Sequence, residues 1–131
     1  MAIADLPILS VLKAKMHWHQ ARQRVLAENV ANADTPGYRA HELAVPELGR
    51  AAAAGPAGGM VLTNRNHIAA ARSDASSVRE NTVDGFETTP DGNGVVLEEQ
   101  MMKVTGNQMD FEAAITLYQK SLGLIRTAIR S

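Results

Sequence analysis

No cysteine occurs among the 131 residues, so the chain can form neither a disulfide nor a thiolate metal site. That suits an oxidising compartment without demanding one. Aromatic residues are scarce too: one Trp, two Tyr and two Phe, 4% of the chain. One domain's length with so few rings favours seams between helices over a large compact core. Thirteen Lys and Arg stand against 14 Asp and Glu, a net charge of −1, which argues against a general nucleic-acid binder. No run of about 18 apolar residues is present, so no membrane-spanning helix is expected. Met1 to Pro7 lack the charged start and apolar run of a cleaved secretory peptide. The chain is therefore expected either to stay in the cytoplasm or to leave the cell by a route that needs no such peptide.

What the chain does have is two heptad rows, one at each end. Leu9, Leu12, Met16, His19, Gln23, Leu26, Val30 and Ala33 alternate in spacing between 3 and 4, the pattern of a helix that pairs in a coiled coil. Asp5 is the expected cap, with Pro7 in the first turn. His19 and Gln23 interrupt the apolar row, and polar seam positions set register at some cost in stability. A helix of this length spans roughly 40 Å and is too thinly apolar to stand alone. A second row, Leu97, Met101, Val104, Gln108, Phe111, Ile115, Tyr118, Leu122, Ile125 and Ile129, runs through a helix expected from about Val95 to Ile129. Met109, Ala113, Leu117, Leu124 and Ala128 widen its apolar face. Gly106 and Asn107 lie inside it; glycine there costs about 1 kcal/mol relative to alanine, so a weak point or bend is expected near 106.

The fold class that follows is mainly α: two long terminal helices forming an antiparallel coiled-coil hairpin around an irregular, loop-rich middle with room for short strands. Residues 1–35 form the first helix, 36–94 the turn and the middle, and 95–131 the second helix, one domain built from both termini. In the middle, 39–48 follow neither helical nor strand period. Ala51 to Gly59 are low in complexity, Met60 to Thr63 suggest a short strand, Thr63 to Ile68 a turn, and 69–94 are polar, anchored by Val78, Val83 and Phe86. Asp91-Gly92-Asn93-Gly94 is a turn followed by a cap, with Glu98 and Glu99 well placed in the next helix's first turn.

The stretch from Asn29 to Tyr38 organises the rest. The residue before a proline is pushed out of the α region, so the first helix must end at or before Thr35. Pro36 and Gly37 then fit the two central positions of a type II turn, Gly37 supplying the positive φ. Asn29 and Asn32, three apart, share a face and can bond the backbone near the helix end. A plain helix end explains Pro36 and Gly37, but not the paired asparagines or Tyr38.

His17, His19, His41 and His67 do not make a metal or catalytic set. His17 and His19, two apart, point to different sides of a helix, and neither has a carboxylate at helical spacing. No nucleophile elbow, phosphate loop or calcium loop occurs. No cofactor, small-molecule substrate or enzymatic activity is therefore expected. Lys13, Lys15, Arg22 and Arg24 make the first helix basic, whereas Asp74, Glu80, Asp84, Glu87, Asp91, Glu98 and Glu99 face only Arg79. Such runs are mostly solvated faces; the functional alternative is complementary charge between neighbouring copies. Trp18 lies off the seam, as a satellite core residue or as an inter-subunit contact.

Gln23 to Asn32, running into Thr35-Pro36-Gly37-Tyr38, resembles the N-terminal signature of bacterial flagellar rod, hook and related axial proteins. Leu97 to Met101, Asn107-Gln108 with Phe111, and Ile125 to Ile129 resemble the C-terminal helix of the family's proximal-rod branch. Thr63 with His67-Ile68, and Asp91 to Val95, resemble its middle. Two positions depart from the pattern: Phe111 stands where Tyr is usual, and Gly106 where a helix former is typical. The resemblance implies a structural subunit of the basal-body rod, in the periplasmic space, exported unfolded through the flagellar type III apparatus without a cleaved signal. It would polymerise into the shaft that carries torque from the membrane ring to the hook. Its implied partners are other copies of itself, other rod proteins, adaptor and membrane-ring components and the export apparatus. The competing reading is a cytoplasmic helical-hairpin adaptor or regulator that binds a partner through the same seams, although such a protein has no use for Asn29 to Tyr38.

Overall fold

A computed structural model describes residues 6–45, 63, 64, 66, 80–83, 85 and 87–131. Four elements follow in chain order: helix α1 (Pro7–Ala31), strand β1 (Ala40–Leu43), strand β2 (Glu80–Val83) and helix α2 (Leu97–Arg130).

Helix α1 begins where proline dictates. Leu6, ahead of Pro7, is held in the extended region at φ −61° and ψ 133°, and Pro7 occupies the first turn. The Leu6 carbonyl accepts from the N–H groups of Leu9 and Ser10 at 3.0 and 3.1 Å. The N-cap is thus Leu6, with no side-chain cap; Asp5 lies outside the described residues. The helix closes at Asn32, whose N–H donates to Glu28 O at 3.0 Å while its Nδ2 donates to the same oxygen at 2.8 Å.

The two helices run antiparallel: Asn29, near the end of α1, meets Gln100 near the start of α2, and His19, further back, meets Asn107 further on. The molecule is therefore mainly helical, a hairpin of its two terminal helices with a small two-stranded sheet in the middle. β1 and β2 pair antiparallel, from Ala40 opposite Val83 to Leu43 opposite Glu80. β1 packs on α1, burying Ala40 and Leu43, and the apolar core is completed by Leu9, Val25, Leu26 and Ala114.

Three local expectations need adjustment. β1 falls in 39–48, where no strand period was evident, because its four residues bury only the two ends, Ala40 and Leu43. Helix α2 begins at Leu97 rather than Val95 and passes through Gly106 without interruption. A long helix gains enough from packing and from its neighbouring hydrogen-bonded turns to absorb one glycine. The strand suggested at 60–63 lies, except for Thr63, outside the described residues, as do Val78 and Phe86.

Candidate functional site

The centre of the molecule is Asn29, whose side chain is fully buried between α1, β1 and α2. Its Nδ2 donates to His41 O at 2.8 Å, and its Oδ1 accepts from His41 N–H at 2.9 Å. One amide thus does for β1 what a neighbouring strand would do, satisfying both backbone groups of a single residue. The remaining valences reach outward: Nδ2 donates to Gln100 Oε1 at 2.9 Å, and Oδ1 accepts from Tyr38 Oη at 3.2 Å. Four bonds from one side chain join the helix end, the turn, the first strand and the second helix. Tyr38 also stacks on the His41 ring, with centroids 5.6 Å apart.

The turn after α1 is interlocked with the turn before α2. Tyr38 N–H donates to Thr35 O at 3.3 Å, and Gly37 sits at φ +70°, as a Pro-Gly type II turn requires. Gly37 N–H donates to Asp91 O and Gly94 N–H to Tyr38 O, both at 3.0 Å. Gly92, at φ +84°, approaches so closely that a Cβ on it would stand 3.5 Å from Gly37 Cα. Asn93 is the clasp: its buried Nδ2 donates to Asn32 O at 2.9 Å and to Thr35 O at 2.7 Å, and its Oδ1 accepts from Val95 N–H at 2.8 Å. Asn32 Oδ1 accepts from the Thr35 hydroxyl at 3.1 Å.

Further along the hairpin a second polar cluster is buried in the seam. Asn107 Oδ1 accepts from His19 Nδ1–H at 2.7 Å, and its Nδ2 donates to His19 O and Gln23 Oε1, each at 3.0 Å. A third polar link lies beside β1. Glu42 accepts from Arg22 of α1 and Lys103 of α2, both at 2.9 Å, and Lys103 also pairs with Glu99 at 2.9 Å. Burial alone would raise the Glu42 pKa, but the bonds and charges of Lys103 and Arg22 outweigh it and hold the carboxyl below its ordinary value. Burial alone would lower the Lys103 pKa, but Glu42 and Glu99 outweigh it and hold it above the ordinary lysine value. Trp18 is half-buried, donating from Nε1 to Ala44 O at 2.8 Å under the Arg22 guanidinium. His41 pairs with Glu80 across the two strands.

On α1 the expected seam residues turn inward: Leu9 and Leu26 are buried, and Leu12, Met16 and Val30 half-buried. On α2 the row facing α1 includes Gln100, Val104, Asn107, Phe111, Ala114, Tyr118 and Ile125. Val104, Phe111, Tyr118 and Ile125 belong to the expected seam, Ile115 and Leu122 flank it half-buried, and Leu97, Met101 and Ile129 are exposed. The inward row is thus offset by one residue at alternate positions, because Gln100 and Asn107 have bonding partners on α1 that Met101 and Gln108 would not satisfy. Of the turn residues, Asn29 is buried, Asn32 and Tyr38 are half-buried, and Thr35, Pro36 and Gly37 are exposed. Glu42, Asn93, Gln100 and Lys103 were not singled out as contact residues from sequence; polar residues flanking a heptad row were the only signal for Gln100 and Lys103.

Most of these polar groups are occupied with one another; His19 Nε2 and Arg22 Nε are buried without a hydrogen-bond partner. Among the described residues no group of three His, Asp or Glu side chains stands close enough to hold a metal ion, and no helix is long and apolar enough to cross a membrane.

Residues 17–39, from the middle of α1 through the clamped turn, match the family model described as flagella basal body rod protein. Over that segment the chain is similar to one class of protein, the flagellar rod proteins. The chain is 31% identical over 113 residues to the flagellar basal body rod protein FlgB of Salmonella typhimurium, covering 77% of each chain. It is 31% identical over 119 residues to the FlgB of Agrobacterium fabrum, covering 87% of each. To the FlgB of Aeromonas hydrophila it is 25% identical over 109 residues, covering 83% of this chain and 82% of that one. The chain belongs to the FlgB family of flagellar basal body rod proteins, and it is a structural protein of the basal-body rod. The cytoplasmic adaptor reading finds no support among these relatives.

Proposed function

We propose that this chain is a non-catalytic, load-bearing subunit that leaves the cell through the flagellar export apparatus and polymerises in the proximal rod. There it contacts copies of itself, other rod proteins and membrane-ring components. The working unit is the hairpin of both termini, 1–35 and 95–131, with 36–94 as the turn and the elaboration between them. One observation carries this reading: the matched segment 17–39 contains Asn29, the side chain that ties α1 to the turn, to β1 and to α2 at once. A shaft under torque needs its two helices fixed to each other at one end, and a fully satisfied buried amide does so with directional bonds.

The test is complementation of a strain lacking the chain, scoring secreted protein, assembled basal bodies and swimming. The unaltered chain should restore all three. Asn29→Ala should be secreted but fail to build rods. Normal rods with Asn29→Ala would remove the structural support for this reading.

A further inference from the structure

Among the described residues, the face of α2 turned away from α1 carries a strip of exposed apolar side chains, with Lys120 exposed on the same side. Met102 is 76% exposed, Met109 66%, Leu117 55% and Leu124 73%, spaced seven or eight residues apart and so on one side of the helix. Between Met102 and Met109 lies Gly106, with open space where its Cβ would be and a shallow hollow bounded by Met101, Met102 and Thr105. Among the described residues nothing calls for a glycine there, although glycine weakens a helix interior. Glu98 and Asp110 stand exposed beside this strip.

The outward face of α1 has the converse character. Lys13, His17 and Arg24 are exposed on it, with the small side chains of exposed Ala14 and half-buried Ala21 between them. Arg24 makes a loose 3.9 Å pair with Glu28, both largely in water. In a head-to-tail polymer neighbouring copies point the same way, so α1 of one copy meets α2 of the next antiparallel. One register then satisfies every feature. His17 lies over Gly106, Ala21 opposite Met102 and Ala14 opposite Met109. Lys13 meets Asp110 and, one residue out of step, Arg24 meets Glu98.

We propose that the Gly106 notch on α2 is the seat for the outer face of α1 from a second copy of this chain. The proposal rests on the rod-subunit reading and adds the face, the partner element and the register. Large side chains fit over small ones, and complementary charge at the edges selects orientation. Such a contact is heterologous and does not close on itself, which is what a growing shaft requires.

Two sets of variants test it in the complementation strain. Gly106→Leu fills the notch from the solvent side, so the purified variant should melt at or above the temperature of the unaltered chain yet lose rod assembly. Asp110→Lys should also lose assembly, and adding Lys13→Asp to it should restore assembly. Because the chain has no cysteine, Ala21→Cys with Met102→Cys gives a direct readout. A short bis-maleimide should link copies into a ladder. Full assembly by Gly106→Leu, or no cross-linked ladder from isolated rods, overturns the proposal and leaves the rod reading standing. Loss with Asp110→Lys that Lys13→Asp does not repair means that the face receives something other than a second copy, which also overturns it. A strain without the chain that still builds rods overturns both.

Discussion

Asn29 holds His41 by both of its backbone polar groups, accepting from the N–H at 2.9 Å and donating to the carbonyl at 2.8 Å. Removing the amide strands both groups beneath a buried side chain, along with Gln100 Oε1 and the Tyr38 hydroxyl. An unsatisfied buried polar group costs about 1–3 kcal/mol, so Asn29→Ala should destabilise the hairpin by about 2–4 kcal/mol. Asn29→Asp keeps the shape but aims a carboxylate at two acceptors, and it should be worse at neutral pH than Ala. Denaturant midpoints of the three chains at matched concentration check the order; an Asp variant as stable as the unaltered chain would refute the clamp.

The Glu42 bridge sets an acid limit. Its folded pKa is depressed below the ordinary 4.5, so its stabilisation is fully present above that value. It is lost as pH falls through the lower folded value. Lys103 works oppositely: its folded pKa is raised above 10.5, so its contribution holds below that pH and is lost as pH rises through the higher folded value. Glu42→Gln should lower stability at pH 7 by about 1–2 kcal/mol, discounted for partial exposure. It should also narrow the gap from the unaltered chain below pH 4.5. Melting temperatures from pH 3 to 11 give both limbs, and parallel pH curves for the two chains would exclude the bridge as their source.

The features legible in sequence are those whose cause is local. Heptad spacing announces both helices, and Thr35-Pro36-Gly37-Tyr38 announces its turn, because proline sterics and glycine's positive φ act within four residues. β1 was silent because Ala40-His41-Glu42-Leu43 has no alternation, and its partner strand begins only at Glu80. Glu42 was silent for the same reason: Arg22 and Lys103 approach it only once the helices have paired. On α2 the period admits two adjacent rows that share Val104, Phe111, Tyr118 and Ile125. Only the three-dimensional partners of Gln100 and Asn107 decide between them.

Gly37 tests the turn alone. At φ +70° any β-branched residue is strained, by about 1–3 kcal/mol, though nothing lies within 4 Å of its missing Cβ. Gly37→Val should therefore act through backbone conformation and not through a clash. It should shift Gly37 N–H away from Asp91 O and loosen the link to the start of α2. The variant should be secreted normally but leave cells non-motile, and normal swimming would show the positive φ to be dispensable.

The polar cluster in the seam makes the last prediction. Asn107 is 2% exposed and His19 3%, in a row where apolar residues would pack more simply. Asn107→Ala removes one partner and leaves the buried His19 ring nitrogen and the Gln23 side chain unpaired, so it should cost about 2–4 kcal/mol. Replacing all three at once, His19→Leu with Gln23→Leu and Asn107→Leu, removes both stranded side chains and should recover most of that loss. What the triple variant should lose is the register, because a buried polar contact forbids the slips that an all-apolar heptad seam permits. Sedimentation of the triple variant should show mixed dimers and larger species where the unaltered chain gives one, with denaturant midpoints at or above those of Asn107→Ala. A triple variant that stays in a single association state and still builds rods would show that helix length and the Asn29 clamp set the register without the buried amide.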